Sequence, residues 1–196
     1  MKPQHAPLSF LEPTDAREEL HFRNIDMRGY KRADGLYEIE GRVVDRKPHP
    51  FSLNNGGRNV AAGEALHDML VRLVFNDSMQ ILDVFTYSAI TPYPHCPEGG
   101  QELQTLKGLK MSSGWAKEVR ARLSGARACT HLMEILLPMA SAAFQTLTML
   151  RLTQPERLNA EGKPLKIDSC YAYGAQRELV RTRYPQYYIT PTESTD

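Results

Sequence analysis

Three short stretches of this chain hold side chains able to bind a metal ion or act as nucleophile or base. A proline-rich loop, Thr91-Pro92-Tyr93-Pro94-His95-Cys96-Pro97-Glu98-Gly99-Gly100, carries an imidazole and a thiol. Ala128-Cys129-Thr130-His131-Leu132 carries the same two groups at the mouth of a long apolar helical pattern. His67-Asp68 opens a strand-like run. Thiolate, imidazole and carboxylate form the donor set that zinc and iron prefer, and a site of three or four donors takes them from distant points of the chain. Cys96, Cys129, His131, His67 and Asp68 are therefore the expected metal ligands for Zn or Fe. Asp68 serves either as a ligand or as the carboxylate that orients a histidine.

The two-residue separation of Cys129 and His131 supplies two donors, not a complete tetrahedral site, and nothing matches the paired Cys-x-x-Cys knuckles of zinc ribbons. With Thr130 as N-cap, Cys129 falls just outside the helix, where unpaired backbone N–H groups and the helix dipole favour an anion. The same residues also support metal-free chemistry. Cys129 is then the nucleophile and His131, His67 or His95 the base. His95 is a reserve ligand, Cys170 is structural, and His21 and His49 are surface residues. The bland alternative is that the thiols are small core hydrophobes.

These groups need a scaffold to bring them together. His21–Tyr30 and Leu36–Asp45 read as a hairpin about Asp34-Gly35. In the second arm Tyr37, Ile39, Gly41 and Val43 share one face. Met69–Phe75 and Met79–Ser88 read as another hairpin across Asn76-Asp77-Ser78. Two consecutive hairpins imply an antiparallel sheet of about four strands. Ser52–Gly57 reads as a connector and lacks the Gly-Lys-Ser/Thr ending of a phosphate-binding loop.

Cover for one face of the sheet comes from two or three helices. Trp115–Leu123 places Trp115, Val119 and Leu123 on one side, with Ser112 or Ser113 as cap and Gly125 as stop. From about Thr130 to Leu150 a broad apolar face runs through Leu132, Ile135, Leu136, Met139, Ala143, Phe144, Leu147 and Leu150. Pro138 inside that run predicts a kink near 134–138 or a break. The fold class is thus α+β. Residues 1–19 are expected to form a flexible tail, 20–152 one domain, and 153–196 a tyrosine-rich arm that packs on the domain or on a second copy as a homodimer, ending in a loose terminus.

A chain of 196 residues suits one domain. Its 24 basic and 23 acidic residues give a net charge of +1, which offers no field to gather nucleic acid or an anionic membrane. Lys117, Arg120, Arg122 and Arg127 read as a solvated helix face. Three cysteines at wide spacing argue against a disulfide framework. With no signal segment and no membrane-length apolar run, the expected location is the cytoplasm.

The string His21-x-Arg23-x-Ile25-x-Met27-x-Gly29-Tyr30-x-Arg32-x-Asp34-Gly35, followed by His67-Asp68-Met69, Pro92-Tyr93, Cys96, Gly114-Trp115 and Cys129-Thr130-His131-Leu132, resembles a bacterial domain-of-unknown-function family, number 2889. The resemblance covers about residues 20–150 and implies a self-contained domain with no established activity. More distantly, the order Asp68, two strands, Cys96, a helix and Cys129 resembles the iron–sulfur scaffold fold. That likeness implies Asp68, Cys96 and Cys129 as three ligands. Leu66 stands where the scaffold has its first cysteine, so His67 or His131 would substitute.

The functions these readings support are a domain that binds one metal ion, with hydrolase or lyase chemistry on a small molecule where a coordination position is open and His67 or Asp68 as the base. The alternatives are a metal-free cysteine-nucleophile enzyme and a non-catalytic interaction module.

Overall fold

The computed structural model describes residues 16–54 and 56–191. Residues 1–15 of the expected tail, Asn55 of the connector, and 192–196 of the expected loose terminus lie outside the described residues. The chain divides into two compact units between Leu147 and Thr148.

The first unit is built on a four-stranded antiparallel sheet. Its strands are β1 (Phe22–Lys31), β2 (Tyr37–Arg46), β5 (Ala65–Phe75) and β6 (Ile81–Ile90), in the order β1-β2-β5-β6. A short hairpin of β3 (Phe51–Ser52) and β4 (Asn59–Val60) stands in the connector, where the sequence pattern carries no strand signal. Turn chemistry fixes both long hairpins. Gly35 takes φ +85° while the Asp34 carboxylate accepts the Leu36 N–H at 3.1 Å. The Asn76 side-chain oxygen accepts N–H bonds from Ser78 and Gln80, which holds Met79 at φ +68°.

Alternation along the strands decides which face is buried. Tyr37, Ile39 and Val43 of β2 and Met69, Val71, Leu73 and Phe75 of β5 point into the core. Over them lie α1 (Trp115–Leu123), α2 (Thr130–Thr146) and a 3-10 helical segment, Cys96–Leu106. Leu132, Ile135, Leu136, Met139 and Ala143 of α2 are buried, and the Trp115 indole N–H donates to the Leu136 carbonyl at 2.9 Å. The α+β architecture expected from the pattern is the observed one.

Local details differ from expectation. Gly114 at φ +91° precedes α1, so neither Ser112 nor Ser113 caps it with a side chain. Cys129, not Thr130, is the N-cap of α2. The helix runs through Pro138 and stops at Thr146, and α3 (Thr148–Leu152) follows in the second unit. That unit also holds α4 (Glu178–Arg183) and buries Ile167, Ala175 and Val180. There the Lys166 ammonium sits 5.7 Å and 5.5 Å from the Tyr173 and Tyr184 rings and pairs with Glu156.

Helix α2 rests on the sheet at two glycines. A β-carbon at Gly29 would lie 1.8 Å from Thr146 Oγ1 and 2.8 Å from its Cβ, whereas one at Gly41 would meet the flexible end of Met139, with Sδ at 2.8 Å. Gly29→Ala must therefore move backbone, and it is expected to cost about 1–3 kcal/mol in urea unfolding. Gly41→Ala, absorbed by a Met139 rotamer, should cost clearly less. Equal losses would show that α2 does not rest on Gly29.

Candidate functional site

Strand register lays three polar residues in one row across the covered face. Arg23 of β1 pairs with Asp45 of β2, and Asp45 pairs with His67 of β5. Asp45 continues the inward parity of Tyr37, Ile39, Gly41 and Val43, and it is 1% exposed. His67 continues that of Met69, Val71 and Leu73 and is 8% exposed. From above, the first turn of α2 lowers His131 onto the row.

A carboxylate so deeply buried needs partners on both oxygens. Arg23 supplies a fork, with Nε to Oδ1 at 2.7 Å and Nη2 to Oδ2 at 2.9 Å, and its Nη1 reaches Glu134 of α2 at 2.9 Å. His67 Nδ1 donates to Oδ2 at 2.9 Å. His21 Nε2 lies 3.3 Å from Oδ1 and His131 Nε2 lies 3.7 Å from Oδ2. The two inner imidazoles lie against each other at a tilt of 33°, with ring centroids 3.7 Å apart. Burial alone would push the Asp45 carboxyl up, but Arg23 and then His67 outweigh it and hold Asp45 below the usual carboxylate range. Burial, and next the His131 neighbour, lowers His67; burial, and next Arg23, lowers His131. Both shifts favour the neutral imidazole, the form that metal binding or base catalysis requires.

His67 and His131 open onto a cleft of about 840 Å³. Its other walls are Pro92 and Tyr93, the 3-10 segment from Cys96 to Glu102, and residues 126–130 leading into α2. That volume falls within the range of small-molecule sites. Both Cys96 and Cys129 line it, as does His95. Cys129 Sγ lies 4.0 Å from His131 Nδ1, and the Cys129 N–H donates to the Gly99 carbonyl at 3.0 Å.

The expected residues are therefore only partly united. His67 and His131 meet, and the cysteines of the two loops face the same cleft. Asp68 does not join them. One residue on from His67, it points to the opposite face of the sheet, where Arg42 forks onto it at 2.7 Å and 2.6 Å and holds its carboxyl low. The Asp68-Cys96-Cys129 set implied by the iron–sulfur scaffold likeness is thus split between two faces. Asp45 takes the part expected of Asp68, the carboxylate beside a histidine. Asp45, His67 and His131 each offer one ligand atom within 4.8 Å of the others, so this trio could hold a metal ion. His21, read as a surface residue, belongs to the same cluster. Cys170 is exposed and lies in the second unit.

Asp45 and Arg23 escaped the sequence reading, although parity could have found both. Asp45 sits two residues beyond Val43 on the inward face, and Arg23 stands opposite it in the hairpin.

Two measurements probe this cluster. Arg23→Met removes the fork and should lower stability by about 2–3 kcal/mol in urea unfolding, because a buried carboxylate loses its main partner. Lowered histidines also set a pH dependence. The unfolded chain binds more protons than the folded one below the ordinary imidazole value of about 6.5. Stability should hold above that pH and fall as pH drops through about 6.5 toward the lower folded values, with Asp45 adding a further loss below about pH 4. His67→Gln should flatten the first phase. An unfolding midpoint constant between about pH 7.5 and 5 would contradict the burial of both rings.

Among the described residues no helix is long and apolar enough to cross a membrane. No curated protein and no solved structure matches the chain. A family model described as "Protein of unknown function (DUF2889)" matches residues 21–145, a span that holds every member of the Arg23-Asp45-His67-His131 cluster and both cleft cysteines. The match takes in more than half of the chain, and the chain belongs to this DUF2889 family.

Proposed function

We propose that the domain binds one transition-metal ion, zinc or iron, on His67, His131 and Asp45 at the floor of the cleft. The spacing of the donors carries this reading. A tetrahedral ion with bonds of about 2.1 Å holds its ligands roughly 3.4 Å apart. His67 Nδ1 and His131 Nε2 lie 2.9 Å and 3.7 Å from the same Asp45 oxygen, on either side of that figure. An ion there would take the place of the proton that His67 Nδ1 donates to Asp45. Arg23 stays on the carboxylate and offsets part of its charge, which favours an ion held mainly by neutral imidazoles.

Two of these ligands face the cleft, so the remaining coordination position is reached from there by water or substrate. Held by His67, His131 and Asp45, such an ion would supply an ionised water near neutral pH and a Lewis acid for a carbonyl, which would suit hydrolysis, hydration or lyase chemistry on a small molecule. A second reading rests on the 4.0 Å approach of Cys129 Sγ to His131 Nδ1, which suits a metal-free thiol nucleophile with an imidazole at hand.

Metal quantification after loading the stripped protein with Zn(II), Co(II) or Fe(II) near pH 7.5 separates the two. One ion per chain is expected for wild type, a loss of at least tenfold in affinity for His67→Ala, His131→Ala and Asp45→Asn, and retention in Cys129→Ser and Cys96→Ser. Affinity should drop in acid, once the pH falls below the ordinary imidazole value of about 6.5 and reaches the lowered values of His67 and His131. Absence of stoichiometric binding by any of the three ions would remove the metal reading. Fast alkylation of Cys129 relative to Cys170, with activity lost in step, would favour the thiol reading in its place.

A further inference from the structure

We infer that Cys96 and Cys129 form a reversible disulfide across the cleft, a modification site for hydrogen peroxide. The inference does not rest on the metal reading, because it needs only the two thiols and the segments that carry them.

Both cysteines line one cleft, and the segments that carry them are docked directly on each other. The contact is a backbone one. The Cys129 N–H bonds the Gly99 carbonyl at 3.0 Å, and a β-carbon at Gly99 would stand 3.1 Å from the Cys129 Cβ. Glycine at 99 is thus what lets the cysteine come so close. Cys96 opens the 3-10 helical segment that contains Gly99. Residues three apart in a 3-10 helix eclipse one another, with a rise of about 2 Å per residue, so Cys96 projects from the same edge as Gly99 about 6 Å along the axis. The Cys96 β-carbon then lies between about 3 and 9 Å from that of Cys129. A disulfide needs about 3.8 Å, inside that range. Pro94 and Pro97 flank Cys96 and limit how far its backbone strays.

The third cysteine offers a contrast within the same chain. Cys170 is exposed in the second unit, with neither Cys96 nor Cys129 in its own unit.

The chemistry balances with peroxide as the oxidant. The sulfur of one cysteine attacks an oxygen of H2O2, the O–O bond breaks, and a sulfenic acid and water result. The second thiol then displaces the sulfenic oxygen as water, so that an S–S bond forms, two S–H bonds are lost, and the peroxide ends as two molecules of water. A dithiol such as dithiothreitol returns both electrons and both protons.

The test uses the full chain carrying Cys170→Ser, leaving two thiols. Treated with hydrogen peroxide in modest excess, it should lose both free thiols, lose the mass of two hydrogen atoms, stay monomeric on a non-reducing gel, and regain both thiols with dithiothreitol. A tryptic map should show the Cys96 and Cys129 peptides joined. Cys96→Ser and Cys129→Ser in the same background should each keep a thiol or carry it on to a sulfinic acid. Two thiols persisting under peroxide, oxidation of one to a sulfinic acid with the other intact, or disulfides only between chains would each overturn the inference. Metal content, measured on the same samples, bears on the metal reading alone.

Discussion

A carboxylate withdrawn from water has to be neutralised where it sits, and Asp45 imposes that demand on this fold. It stands at the end of the buried face of the sheet with almost no solvent exposure. Strand β1 answers with the Arg23 fork, β5 with the His67 imidazole, and α2 with His131 and, through Arg23, Glu134. Three strands and the helix are thereby tied at one point. Because a half-paired buried charge costs several kcal/mol, the register of the hairpin and the seating of α2 are coupled to one carboxylate.

The opposite end of α2 is fixed by packing. Gly41 and Gly29 leave room for Met139 and Thr146, so the helix can lie close along β1 and β2. At its start Cys129 serves as N-cap and bonds back to Gly99, which docks the 3-10 segment beside it. The cleft is the space left among the mouth of the helix, this segment and the first residues of β5. It brings imidazoles from β5 and α2 to the same opening as two thiols, and it is lined by backbone held at both ends.

On the other face of the sheet, ion pairing is local and exposed. Arg42 with Asp68 and Arg28 with Asp26 are held there at hydrogen-bonding distance. Such pairs contribute little stability each, but they settle the fate of Asp68. Adjacent in sequence to His67, it is separated from it by the thickness of the sheet, because neighbouring residues of a strand face opposite ways. A motif read as His67-Asp68 thus parts into a cleft residue and a surface ion pair.

Much of the scaffold was legible in the chain because its signals are local. Asp34-Gly35 and Asn76-Asp77-Ser78 mark turns, the alternation in β2 and β5 marks strands, and the spacing of Trp115, Val119 and Leu123 or of Leu132, Leu136 and Met139 marks helix faces. Likewise Cys129 and His131 fall at a helix start whichever residue is its cap. The site itself was half legible. His67 and His131 drew attention by type, while Asp45 passed as the polar end of a strand, His21 as a surface group, and Arg23 carried no role of its own. The parity of β2 and β5, carried two residues further, would have placed Asp45 and His67 inward and Asp68 outward. No such local rule reports which helix turn lands on that row, or that Gly99 lets Cys129 approach the loop of Cys96. Sequence therefore determined the elements and their inward faces, since turn geometry and side-chain period are properties of neighbouring residues. Tertiary structure decided which carboxylate neutralises which imidazole, since that follows from strand register and helix docking between residues as far apart as Arg23 and Glu134.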